Sequence, residues 1–144
     1  MANSIKDQEA ILAKLNIYEL NPMQKEAIEV IKDNNNIILL SPTGTGKTLA
    51  FSLPLINSLD PVSKEIQALI LVPSRELAIQ IEQVIRSMGS GFKINAVYGG
   101  RPMAKDKIEL KHLPAILIGT PGRISDHFSN NRFTKKHIKT IVLD

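Results

Sequence analysis

The stretch that decides the fold is "IILLSPTGTGKTLAF", residues 37–51. An apolar, β-branched run breaks at Ser41-Pro42 into a turn carrying two glycines and a lysine, and helix-forming residues follow. Strand, Gly-rich turn and helix is the order of the phosphate-binding pattern G-x-x-x-x-G-K-[ST]. Ser41-Pro42-Thr43-Gly44-Thr45-Gly46-Lys47-Thr48 meets it at every defining position except the first, where serine is small enough to keep the turn. Gly44 and Gly46 let the backbone turn tightly, so that several N–H groups converge on phosphate oxygens. The helix behind them adds its positive end and its unpaired N–H groups. Lys47 is suited to neutralising β- and γ-phosphate charge, and the Thr48 hydroxyl to ligating Mg²⁺. A chance Gly/Thr-rich turn explains the glycines but not their combination with Lys-Thr in this context. The stretch reads as a nucleotide site.

Outward from this loop, further short apolar runs alternate with helix-like stretches. The runs are 36–40, 68–72, 94–98, 115–119 and 140–144, each nearly continuously apolar, which predicts strands covered on both faces. Helices are predicted over 46–59, 74–89, 101–113 and 122–128, preceded by two more at roughly 4–15 and 22–33. In the stretch 74–89, Leu77, Ile81, Val84, Ile85 and Met88 recur at helical spacing behind a cap-like Ser74. Repeated strand–helix–strand order implies an α/β fold with a mainly parallel sheet and helices on both faces. Ligands in such sheets sit beyond the carboxyl ends of the strands. Four polar clusters follow directly on a predicted strand: "SPTGTGKT", "PSREL", "GGR" and "TPGR". All four are therefore expected on one edge of one sheet.

Composition narrows the class. The chain has 144 residues, 43% hydrophobic and 22% charged, enough for one cored domain. It contains no cysteine, which excludes disulfides and thiolate metal sites and fits a reducing cytoplasm. No apolar run approaches the roughly 20 residues that cross a membrane, and charges interrupt the first 14 residues where a signal core would lie. The formal charge of +4 permits a polyanionic partner without requiring one. His112, His127 and His137 have no metal-like spacing, and the basic run 135–139 reads as a solvated face.

Together, "SPTGTGKT", "PSRELA", "GG" at 99–100, "TPGR" and the terminal "VLD" resemble, in order and spacing, the DEAD-box ATP-dependent RNA helicases. The resemblance runs from about Tyr18 to Asp144 and corresponds to the first of that family's two RecA-like domains. It implies a RecA-like P-loop NTPase fold, with residues 1–33 as N-terminal helices and 34–144 as an incomplete ATP-binding domain. "NPMQ" is similar to the family's Q motif, so Gln24 is expected to read the adenine edge, with Tyr18 nearby. Asn16-Ile17 stand where the family has a Gly-Phe pair. Pro73, Ser74 and Arg75 resemble motif Ia, Gly99, Gly100 and Arg101 the double-glycine motif, and Thr120, Pro121, Gly122 and Arg123 motif Ib. In the family these loops hold the backbone of single-stranded RNA, and hydroxyls, glycines and arginines are phosphate ligands rather than base readers. Ser74, Thr120 and Gly122 would equally serve as caps and turns, and Arg75 and Arg123 as surface ion pairs.

Asp144 stands where the family's Walker B aspartate holds Mg²⁺, so the resemblance assigns Lys47, Thr48 and Asp144 to the ATP chemistry and Thr48 and Asp144 to the metal. The family's following glutamate, Ser-Ala-Thr motif and second domain lie beyond Asp144, and the expectation is a piece of a longer protein that by itself binds adenine nucleotide weakly and turns over essentially nothing. The expected ligands are ATP, Mg²⁺ and single-stranded or short duplex RNA, met by a cytoplasmic monomer. A DNA helicase or translocase of the same superfamily, or a non-catalytic nucleotide-dependent interaction module, are the alternatives.

Overall fold

The computed structural model describes residues 7–144, which divide into two compact units, 7–59 with Val84–Gly91, and Asp60–Gln83 with Phe92–Asp144. The first unit holds α1 (Gln8–Lys14), α2 (Pro22–Asp33) and α3 (Lys47–Ser58). Each start has a local cause. Asp7 caps α1 by accepting from the Glu9 N–H. Asn21 and Gln24 close a reciprocal capping box on α2, whose first position is Pro22. α2 packs on α3. Lys14 Nζ donates to the Gly89 carbonyl oxygen at 2.9 Å, at the point where Gly89 takes a left-handed φ of +59° just past the end of α4 (Arg75–Ser87).

The second unit carries the sheet: β1 (Ala68–Leu71), the start of α4, β2 (Ile94–Val97), α5 (Met103–Glu109), β3 (Ile116–Gly119), α6 (Pro121–Ser129) and β4 (Thr140–Leu143). The strands lie in the order β2-β3-β1-β4 and every pairing is parallel. Leu71 is in register with both Gly119 and Leu143, and Val97 with Gly119, so all four strands end at one level. Ile66, Leu69, Val97, Leu110, Leu117, Ile124 and Phe133 form one buried cluster of this unit. β2 and β3 are buried along their whole length, as continuously apolar runs predict, whereas β4 alternates and leaves Ile141 and Leu143 exposed. The expected parallel α/β architecture is present.

One predicted strand is not. Residues 36–40 join no ladder among the described residues, and Ile38 and Leu40 are 87% and 88% exposed. A nearly continuous apolar run is stable as a strand only between two paired neighbours, and among the described residues it has none. The Gly-rich turn therefore does not follow a paired strand, and the expectation of one shared edge is met for the three clusters that follow β1, β2 and β3. The helix predicted over 4–15 begins at Gln8, with positions 4–6 outside the described residues, and the other elements match within a few residues at their ends. No helix among the described residues is long and apolar enough to cross a membrane.

Candidate functional site

The Gly-rich turn and its surroundings belong to the first unit. Gly44 and Gly46 take φ of +83° and +86°, left-handed values that side chains resist, and Gly46 is the residue on which α3 begins. No side chain caps α3, so the N–H groups of its first turn are left for a ligand. Around Gly44 there is open space where a Cβ would stand. Within the loop, Thr45 Oγ1 donates to the Pro42 carbonyl at 2.6 Å and bonds with the Ser41 hydroxyl, while Lys47 Nζ donates to the Ser41 carbonyl at 2.9 Å. Pro42 and Thr43 are exposed at the tip, and Thr48 sits half-buried in the first turn of α3. A preformed, uncapped and strongly turned loop of this kind suits the charge and shape of a phosphate chain.

Gln24 is buried against this loop. Its Oε1 accepts from the Asn21 N–H at 3.0 Å, and its Nε2 donates to the Gly46 carbonyl at 3.2 Å. Asn21 Nδ2 reaches the Thr45 carbonyl at 2.9 Å. The start of α2 is thus bolted to the turn through two amide side chains. One N–H and one lone pair of the Gln24 amide remain uncommitted, the pair of functions that an adenine edge requires. Tyr18 is fully exposed. Asn21 was legible as half of an Asn-x-x-Gln capping box, but its second bond, to Thr45, spans 24 residues and has no local signal.

The second unit brings three clusters together at the carboxyl edge of the sheet. Because the strand order is β2-β3-β1-β4, the order along that edge is 98–101, then 120–123, then 72–75, then Asp144. Ser74 caps α4, accepting from the Leu77 N–H at 3.3 Å. Thr120 opens α6 without capping it, leaving its hydroxyl free of that duty, and Pro121 fills the first position. Gly99 and Gly122 have nothing within 4 Å of where a Cβ would be. Gly100, at φ +87°, brings its backbone close to Arg75, whose Nη1 lies 3.2 Å from that Cβ position. Pro73 and Asp144 are exposed.

The three arginines of this edge differ. The Arg75 side chain is 58% exposed and pairs with its neighbour Glu76 at 3.1 Å. Arg101 and Arg123 are only 14% and 15% exposed, and both turn inward onto Asp106 of α5, which is completely buried. Asp106 Oδ2 accepts from Arg123 Nε and pairs with His127 Nε2, each at 2.8 Å. Its Oδ1 lies 3.2 Å from Arg101 Nη1 as an ion pair without an aligned hydrogen bond, and the same nitrogen donates to the Ala96 carbonyl. Arg123 Nη2 also donates to the carbonyl of Arg101, and Arg101 Nη2 to Glu109. Burial alone would lower the Arg101 pKa, but the hydrogen bond and charge of Glu109, with Asp106, outweigh it and raise it. On the far side, His127 Nδ1 is 3.0 Å from Arg132 Nη1. A guanidinium only donates, so Nδ1 accepts, the ring proton sits on Nε2, and it points at Asp106.

Asp106 and Glu109 escaped sequence reasoning, and His127 entered it only as a histidine without metal-like spacing, expected at the surface or partly buried with its partners satisfied. The available signal was faint: an acid at 106 and another at 109, spaced to share the helix face that carries Leu110.

A protein-family model described as "DEAD/DEAH box helicase" matches residues 21–144. Among curated proteins, the chain is 41% identical over 128 residues to the ATP-dependent RNA helicase CshA of Limosilactobacillus reuteri, covering 88% of this chain and 26% of that protein. It is 43% identical over 125 residues to the probable ATP-dependent RNA helicase YfmL of Bacillus subtilis (strain 168), covering 85% of this chain and 33% of that one. The chain thus spans about a quarter to a third of the length of these relatives. Among solved structures, a hypothetical ATP-dependent RNA helicase from Sulfolobus tokodaii shares the fold, with a TM-score of 0.82 at 24% identity over 96% of this chain and 41% of that one.

Proposed function

Because this chain belongs to the DEAD/DEAH box helicase family, we propose that it is the ATP-holding and RNA-contacting part of an ATP-dependent RNA helicase that remodels or unwinds short RNA duplexes. The observation that carries the proposal is the Gly-rich turn, preformed by two left-handed glycines at the uncapped start of α3 and braced by Gln24. Ser41 to Thr48 cradle the phosphates through backbone N–H groups, Lys47 leaves the Ser41 carbonyl to meet their charge, and Gln24 offers its spare N–H and lone pair to adenine. Bound ATP supplies the phosphoryl group whose transfer to water drives such a cycle. Thr48 and Asp144 are assigned to Mg²⁺ on the family resemblance alone.

At the sheet edge, Ser74, Arg75, Gly99, Gly100, Thr120 and Gly122 present hydroxyls, a guanidinium and approachable backbone to a sugar-phosphate chain. Few aromatic residues are available for stacking, since they make up 4% of the sequence. Contacts of this kind carry no base sequence, so binding is sequence-tolerant and falls with salt. A soluble cytoplasmic monomer is the proposed setting.

Two titrations test this. A fluorescent ATP analogue should bind the chain and lose affinity about 10- to 100-fold with Lys47→Ala, the scale of one charge-assisted contact. A fluorescent single-stranded RNA oligonucleotide should bind with an affinity that drops as salt rises. Nucleotide binding indifferent to Lys47, or RNA binding flat in salt, would sink the proposal. A clear preference for a DNA oligonucleotide would move it to a DNA translocase.

A further inference from the structure

We infer that Asp106 is a positioning residue for the RNA-contacting edge: it draws Arg101 and Arg123 inward, so that these two arginines fix the loops after β2 and β3 instead of touching phosphate. The inference rests on the RNA reading above and refines which groups of that edge do the contacting.

Geometry supports it in three ways. First, Asp106 is completely buried while the two guanidiniums it holds are 14% and 15% exposed, so the charge of each is already met inside the unit. Second, the contacts bridge the two loops as well as satisfying each arginine. Arg123 reaches from the start of α6 to the carbonyl of Arg101, and Asp106 receives Arg123 and faces Arg101 with its other oxygen. Third, what the same loops leave open is backbone: Gly99 and Gly122 stand in free space. A phosphate arriving at this part of the edge meets main-chain N–H groups and the Thr120 hydroxyl, held at a fixed spacing by the ionic bracket behind them. Arg75 is the exposed arginine of the three clusters.

Electrostatics and positioning make opposite predictions for Asp106→Asn. Removing a negative charge from a protein that binds a polyanion should tighten binding if net charge is what matters. If Asp106 acts through position, the substitution leaves two guanidiniums without their buried counter-charge, the loops lose their spacing, and binding weakens.

The test is a titration of the chain with a fluorescein-labelled single-stranded uridine decamer at several salt concentrations, at a temperature where circular dichroism shows every variant folded. We expect Asp106→Asn and Arg123→Gln to weaken binding 5- to 10-fold with the slope of log K against log salt unchanged, because neither removes a phosphate contact. Arg75→Gln should reduce that slope by about 0.7, the value for one phosphate contact on a single strand. A role in stability alone would lower the melting temperature and leave the affinity of the folded protein where it was. Asp106→Asn binding as tightly as the parent or tighter, or Arg123→Gln flattening the slope by about 0.7, overturns the inference. Should Asp106→Asn fail to fold, Arg123→Lys decides. Lysine keeps a point charge for phosphate but cannot span Asp106 and the Arg101 carbonyl together, so a several-fold loss supports the bracket and unchanged affinity overturns it. If the parent chain itself shows no salt-dependent binding, the RNA reading falls and this inference with it.

Discussion

At the scale of single residues, the Gly-rich turn is held by backbone conformation and two amide side chains. Gly46→Ala would force a side chain into a left-handed φ of +86° and into Gln24 Nε2. The conformational part alone costs about 1–2 kcal/mol, and nucleotide affinity should fall with it, as a denaturation curve and an ATP-analogue titration would show. Asn21→Ala removes the cap of α2 and the link to Thr45 together, an expected loss of about 1–2 kcal/mol by chemical denaturation. Glu76 offers a check on the exposed pair with Arg75. A hydrogen bond from its own backbone and then one from Arg75 hold its carboxyl below the usual glutamate range. A lowered folded-state value means that the stabilisation is present above the unfolded value and lost as pH falls. The small difference in melting temperature between the parent and Glu76→Gln should therefore shrink as pH falls past the unfolded glutamate value of about 4.3 and be gone once pH is below the lowered folded value.

At the scale of elements, β3 shows how tightly the sheet constrains its own sequence. A Cβ on Gly119 would lie 2.5 Å from the Val97 carbonyl oxygen and 2.9 Å from Ile124 Cγ1, with backbone on one side and the core on the other. Gly119→Ala should cost about 1–3 kcal/mol in denaturant, as overpacking does, although the glycine does not need a left-handed backbone. β4 is the opposite case. It is an edge strand with Ile141 and Leu143 facing solvent, the kind of edge that recruits another chain. Replacing Ile141 by Lys should suppress self-association in concentrated solution, measured by light scattering, with little change in melting temperature. The elements with a strong local signature were legible from the chain: β1, β2 and β3 as nearly continuous apolar runs and α4 by its spacing. The run 36–40 carried the same signature and did not become a strand, because a ladder needs a partner that composition cannot guarantee.

For the molecule as a whole, parallel strands in register convert clusters scattered over 50 residues of sequence into one edge. That conversion follows from the alternation of strands and helices and was available from the sequence, as were the Gly-rich turn, the α/β class and the family resemblance. The order along the edge was not, since strand order depends on which faces bury which residues. Nor was the difference between Arg75, which faces solvent, and Arg101 and Arg123, which do not. All three stand beside loop residues and look alike as letters. The sequence by itself determined the local chemistry: a glycine turn, a lysine and a helix start are neighbours along the chain, so their spacing is fixed before folding. Only the tertiary structure decided where the arginine charges went. Their partner, Asp106, lies 17 residues from Arg123 and meets it only when α5 and α6 come together behind the sheet edge.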